Sequence, residues 1–134
     1  MSPTSPTVPN RPNGHTTTFA VHELFRSATV ITVAGGLDAA NAPEFSAHTA
    51  PYARAGRRVL LDLSRVDFFG TAALSVLADF NYRCLARDVA WGLVSSIAVD
   101  RLLRISAAVL PIYPTASDAL TGLPIPRRSL ELIP

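Results

Sequence analysis

From Phe19 onward, short apolar runs alternate with stretches of helical period, and this rhythm predicts most of the elements. Phe19-Ala20-Val21-His22-Glu23-Leu24-Phe25 places apolar residues at alternate and adjacent positions, and Ala28 to Ala34 is rich in β-branched residues. With Arg26 and Ser27 between them, the two runs predict a β-hairpin. Gly35-Gly36-Leu37-Asp38 is expected to end the second strand. Asn41 followed by Glu44 is a capping-box pattern, and Pro43 is tolerated in a first turn, so a helix is expected to begin near Asn41. Phe45, His48 or Thr49, and Tyr52 continue at helical spacing, with Pro51 bending the last turn and Gly56 closing it.

The chain is organised around Arg57 to Ala86. Val59-Leu60-Leu61-Asp62-Leu63 is a nearly continuous apolar run, the pattern of a strand covered on both faces. A turn is expected at Ser64 to Asp67. After Phe68-Phe69-Gly70 the period becomes helical: Ala73, Leu74, Leu77, Ala78, Phe80, Cys84 and Leu85 fall on one side, Ser75, Asp79, Arg83 and Arg87 on the other. Thr71 is the expected N-cap, its hydroxyl accepting from first-turn amides, with Gly70 allowing the sharp bend into the helix. Of the two aromatics ahead of this corner, one is expected to plug the core and the other to present an apolar edge to a partner.

Further on, Val89 to Val94 reads as a strand, and Ser95-Ser96 as the cap of the next helix. Ile97 to Ala108 places Val99, Leu102, Leu103 and Ser106 on one face and Asp100, Arg101 and Arg104 on the other. Val109 to Tyr113 is a brief strand that Pro111 confines to an edge or an end. Thr115 starts a last short helix through Leu120. The order β-β-α-β-α-β-α-β-α predicts an α/β domain in which helical crossovers join the later strands, with function expected where strand C-termini meet helix N-termini.

Composition bounds this picture without redirecting it. A chain of 134 residues, 49% hydrophobic and 16% charged, is a single globular domain in prospect. Residues 1–18, with four prolines among Ser, Thr and Asn, are expected to be a disordered leader; 19–121 form the domain, and 122–134 a proline-broken tail. Apolar runs are too short for a membrane span and a secretory h-region is lacking, which makes a cytoplasmic protein the expectation. A net charge of +2 with arginines in scattered pairs is a thin warrant for nucleic-acid binding.

The candidates for chemistry are few. Cys84 lies on the apolar side of its helix and is expected to be a small buried hydrophobe. His15, His22 and His48 have no spacing that suggests a shared metal, and His48 is expected to serve packing or the surface. Gly35-Gly36 is no phosphate loop, and Asp62 is expected to bond nearby amides rather than to pair with Asp67 over one reacting bond. The dispersed arginines are expected on solvated faces. No constellation suits an enzyme, a metal or a cofactor.

The pieces Gly35-Gly36-Leu37-Asp38, Val59 through Phe68, Asp100-Arg101-Leu102-Leu103-Arg104-Ile105 and Ile112-Tyr113-Pro114 occur in an order that resembles the STAS domain of anti-sigma factor antagonists, over roughly Phe19 to Leu120. The resemblance implies a mixed, mostly parallel sheet with about four helices. It also implies a switchable binder that captures an anti-sigma factor, often a serine kinase, so that a sigma factor is freed. In that family the phosphoacceptor lies at the N-terminus of the helix after the central strand, in a motif resembling Asp-Ser-Ser-Gly-Leu, the second Ser being the usual target. Here Gly70 stands in place of the Asp, Ala72 in place of the acceptor and Ala73 in place of the Gly, leaving Thr71 and Leu74 as the matches.

Two accounts of regulation stay open. Either Thr71 is the phosphoacceptor, or the partner is bound constitutively or under another control. The partner surface implied is Phe69, Gly70, Thr71, Ala72, Ser75, Val76 and Asp79, with the last three on the exposed side of the helix. STAS domains also serve as accessory subunits of transport or lipid-trafficking systems, which is the alternative class; a small-molecule sensor, the third, would need a pocket.

Overall fold

The computed structural model describes residues 7–8, 16–24 and 26–125. Most of the expected leader, Phe25, and the tail from 126 with Arg127-Arg128 lie outside the described residues. The strands are β1 (Thr7–Val8), β2 (Thr17–Glu23), β3 (Ala28–Leu37), β4 (Arg58–Phe69), β5 (Ala90–Val94) and β6 (Ile112–Tyr113), lying side by side in chain order in one sheet. The β1–β2 and β2–β3 pairs are antiparallel; β3–β4, β4–β5 and β5–β6 are parallel. The helices are α1 (Ala42–Thr49), continued by a 3-10 turn over Ala50–Tyr52, α2 (Thr71–Ala86), α3 (Ile97–Ser106) and α4 (Ala116–Gly122).

This topology decides where the helices go. The sheet grows in one direction, and right-handed crossovers between parallel strands then place all the connecting helices on one face. Phe45 of α1, Ala73, Leu77, Phe80 and Cys84 of α2, and Val99 and Leu103 of α3 share a single core with Val59, Leu61 and Leu63 of β4. Since strand side chains alternate, Leu60 and Val94 point the other way and are covered by Ala119 of α4. The continuous apolar run of β4 is the consequence of cover on both faces. In the larger core the Phe80 and Trp91 rings meet edge to face at 5.2 Å. His48 stacks on Phe19 at 4.4 Å with its Nδ1–H donating to the Glu44 carbonyl, the packing role expected of it, and burial lowers its pKa.

The hairpin forms as expected. Arg26 and Ser27 both have φ of 60°, the turn sense that matches strand twist, and the Leu24 N–H donates to the Ala28 carbonyl at 2.7 Å. Ser96 and Thr115 cap α3 and α4 through the amides of Val99 and Asp118. β6 is an edge strand, though it spans only Ile112–Tyr113 rather than starting at Val109.

Several expectations are corrected. Ser64 to Asp67 is not a turn: β4 runs on to Phe69, paired with β3. Gly35-Gly36 is still paired, and β3 ends at Leu37, within the Gly35-to-Asp38 stretch expected to end it. The register shifts between Thr32 and Ala34 and between Gly35 and Gly36, each time with β4 supplying the extra residue, so its buried positions Leu63, Val66 and Phe69 recur every third residue. Leu85, placed with the core side of α2, is 73% exposed. Arg58 is buried rather than solvated; its Nη1 donates to the carbonyls of Leu120 and Leu123, which anchors the end of α4 on the sheet. Thr7–Val8 pairs with Thr17–Thr18, and Leu123 is buried.

Candidate partner-binding site

The junction of β4 with α2 is built from three chain segments. The Gly70 N–H donates to the Leu37 carbonyl at 2.9 Å, tying the corner to the end of β3, and the Gly70 carbonyl accepts from Ala73 and Leu74 to open the helix. Gly70, not Thr71, is therefore the N-cap; Thr71 is the first helical residue and its side chain makes no cap. The expected capping box at Asn41 is also absent. Instead Asn41 and Asp38 bond reciprocally, the Asp38 N–H to Asn41 Oδ1 at 2.9 Å and the Asn41 N–H to Asp38 Oδ1 at 3.0 Å. The Asn41 Nδ2 donates to Thr17 Oγ1 at 2.7 Å and to the Gly36 carbonyl at 2.8 Å. A buried amide thus pins β2, β3 and the loop beneath the corner.

The surface above this base differs from the one expected. Phe69 is 6% exposed and belongs to the core, and Phe68, 43% exposed, is the outward aromatic. One aromatic plugs the core and the other faces out, as the sequence implied, but the assignment of Phe69 to the interface is corrected by the register of the second bulge. Val76 is half-buried and packs on the core, so it does not share the exposed side of α2 with Ser75 and Asp79. Ser75 Oγ donates to the Thr71 carbonyl at 3.2 Å and Asp79 pairs with Arg83 at 2.8 Å. Thr71 is exposed, Ala72 half-buried.

Because β5 ends its pairing at Asp62 and Val94, the last part of β4 projects beyond it. The resulting groove, about 610 Å³, runs between this overhang and the start of α3 and is lined by Ser64, Asp67, Ser95, Ser96 and Arg101, with Ile97, 78% exposed, in its wall. The sequence signal available was the three-residue spacing of Leu63, Val66 and Phe69, which marks an irregular strand. Asp62 accepts from the Ser64 N–H and hydroxyl, in line with its expected role. Among the described residues no group of three or more His, Cys, Asp or Glu could hold a metal, and no helix is long and apolar enough to cross a membrane.

Gly70 is not required by sterics. Its φ is −91°, and an added Cβ would meet only Phe68 Cε2 at 3.5 Å, Leu37 O at 3.6 Å and Asp38 Cα at 3.9 Å, ordinary contacts. Gly70→Ser would supply the missing cap acceptor. We expect it to raise stability by about 0.3–1 kcal/mol in denaturant melts; a loss would show that the side chain cannot reach the first-turn amides.

The chain belongs to the STAS domain family, whose family model matches residues 20–119. Its relatives include anti-sigma factor antagonists. Anti-sigma-F factor antagonist RsfA of Mycobacterium tuberculosis is 34% identical over 102 residues, covering 72% of this chain and 80% of that protein. Osmosensory protein A of the same organism is 38% identical over 76 residues, 57% of this chain, which spans about half (48%) of that protein's length. The crystal structure of an anti-sigma factor antagonist from Mycobacterium paratuberculosis matches with a TM-score of 0.72 at 27% identity, covering 86% of this chain and 98% of that one.

Proposed function

We infer that this chain is an anti-sigma factor antagonist: a binding protein, not an enzyme, that captures an anti-sigma factor and so frees a sigma factor. The observation that carries this reading is the exposed corner at the end of β4, where Phe68, Thr71, Ser75 and Asp79 form a mixed apolar and polar surface on a base held by buried hydrogen bonds. Rigid support beneath an exposed aromatic suits a docking site, because little freedom is lost on binding. The similarity to RsfA supports the partner class.

Ala72 offers no hydroxyl at the position the family phosphorylates, so capture is not switched there. Thr71 is the candidate acceptor that remains. It is exposed, and because Gly70 is the N-cap, its hydroxyl is not engaged in capping. A phosphate at that point, about −1.5 to −2 charges, is favoured by the helix N-terminus yet places its charge in the docking surface.

The test is capture of a candidate anti-sigma factor, kinase-type or otherwise, by the purified chain with and without ATP. Capture is expected to persist with ATP, Thr71→Ala to leave it unchanged, and Thr71→Glu to weaken it by about tenfold or more, a loss of about 1.4 kcal/mol. ATP-driven release with a stoichiometric phosphate on Thr71 by mass spectrometry would replace constitutive capture with a switch at Thr71. Failure to bind any anti-sigma factor would remove the function itself.

A further inference from the structure

At the opposite end of the sheet from the Thr71 corner, where β4 begins at Arg58 beside Ala90 of β5, the turns leading into these two strands enclose a cavity of about 410 Å³. Pro124 and Ile125, where the chain leaves α4, form part of its wall. That exit is fixed. Leu123 is buried, its carbonyl accepts from Arg58 Nη1 at 3.3 Å, and its φ of −72° and ψ of 131° turn the chain from helix to extended backbone. Pro124 and Pro126 each favour extended backbone at the residue before them, so the chain is delivered stiffly to the rim.

The surface around the rim is only partly covered. Leu85 stands exposed there, and Tyr82, three residues earlier on α2 and also exposed, continues the apolar strip along the helix. Charges of both signs flank it. Among the described residues Asp88 has no ion-pair partner, and Arg87 has no carboxylate, its Nη1 donating instead to the Ala53 carbonyl at 2.9 Å.

The residues that follow the exit, 126–134, carry the complement in their sequence, Pro-Arg-Arg-Ser-Leu-Glu-Leu-Ile-Pro. Arg127 and Arg128 come first, within reach of Asp88. Leu130 and Leu132 then fall on one side of an extended segment with Glu131 on the other, the alternation of a half-buried strand. From Ile125 to Leu130 the extended chain spans up to roughly 17 Å, against about 5.4 Å for a turn of α2, so the leucines reach Leu85 and Tyr82. Arg87 is exposed, and its long side chain can meet the outer flank of such a segment.

We propose that residues 127–133 form an intramolecular strap across this cavity, with Leu130 and Leu132 on Leu85 and Tyr82, Arg127-Arg128 beside Asp88, and Glu131 beside Arg87. Because the segment is tethered at the rim, its effective concentration is on the order of millimolar, and weak contacts suffice to dock it. Docked there, it withholds the apolar strip from other chains. The strap is remote from the partner surface, so it stands or falls independently of the anti-sigma reading.

The experiment compares the isotope-labelled full chain with its Leu130→Ser/Leu132→Ser and Glu131→Arg variants by NMR. In the parent, backbone order parameters of about 0.85 are expected through 127–133, with nuclear Overhauser contacts from the Leu130 and Leu132 methyls to the Tyr82 ring and the Leu85 methyls. The double serine variant is expected to fall below about 0.6 in that segment and to shift the amides of Ala55 and of Leu85 through Ala90, with Thr71 unmoved. Glu131→Arg is expected to move the same amides towards the serine variant, and Arg87→Glu added to it to reverse much of that change. Order parameters below about 0.6 through 127–133 in the parent, no shift from Leu85 to Asp88 in the double serine variant, or methyl contacts that vanish on dilution and so come from a second copy overturn the proposal. Should the Arg87 variant not fold, the double serine variant decides it.

Discussion

Gly35→Ala is expected to destabilise the fold by about 3 kcal/mol or more, the sum of forcing a side chain into a left-handed backbone, about 1–3 kcal/mol, and of a steric clash. Gly35 has φ of 102°, and a Cβ there would lie 2.0 Å from the Thr16 carbonyl oxygen, 3.1 Å from its carbon and 3.2 Å from Thr17 Cα. All three are backbone atoms that cannot swing aside as a side-chain end would. Relief requires the start of β2 to move away from β3, which breaks the bond from the Gly36 N–H to the Thr16 carbonyl. Thermal melts should show a fall of about 10 °C or more for a domain of this size. Gly70→Ala is the internal control, since that position offers only ordinary contacts. If Gly35→Ala costs less than about 1 kcal/mol, the bulge relaxes freely and its geometry is not fixed by Gly35.

Asn41→Ala is the second large effect. Asn41 is fully buried, and its side chain makes three hydrogen bonds, to the Asp38 N–H, Thr17 Oγ1 and the Gly36 carbonyl. Truncation leaves the Asp38 amide without its acceptor and the Gly36 carbonyl with only Thr17 Oγ1 among these partners, and opens space that water or collapse must fill. At about 1–3 kcal/mol for each buried group left unsatisfied, a loss of about 3 kcal/mol is expected in denaturant melts. The consequence extends to function: Leu37 and Asp38 support Gly70, so the surviving folded fraction should also capture its partner more weakly. Asn41→Asp sharpens the test, because it keeps the shape, removes both Nδ2 donors and sets a second carboxylate against Asp38. A stability equal to the parent in both variants would mean that the network is dispensable.

The two positions mark where sequence reading stopped. The stretch Gly35 to Asp38 does end β3, at Leu37, but Ser64 to Asp67, whose Ser and Asp favour a turn, is strand. The reason is that β3 and β4 pair through two bulges that neither sequence announces by itself. The same bulges turn Phe69 inward and Phe68 outward, which no alternation rule applied to either segment could have decided. At Asn41, the local capping pattern with Glu44 gave way to longer-range partners on β2 and β3, and at Thr71 the capping position passed to Gly70.

What the sequence determined by itself is what depends on local period and local chemistry. The hairpin, the existence of α2 and α3 with Leu77, Phe80, Val99 and Leu103 turned to the core, the buried thiol, the caps at Ser96 and Thr115, and the missing hydroxyl at Ala72 all follow from residues within a few positions of one another. Tertiary structure decided whatever depends on register between distant segments: the length of β4, the outward aromatic, the groove beside α3, the buried tether of Arg58 and the cavity between the turns leading into β4 and β5. The physical reason is that a side chain's direction on a strand is set by pairing, and one extra residue in a ladder reverses every direction after it. The corner at Gly70-Thr71-Ala72 belongs to both: its location is local, and the surface it offers is not.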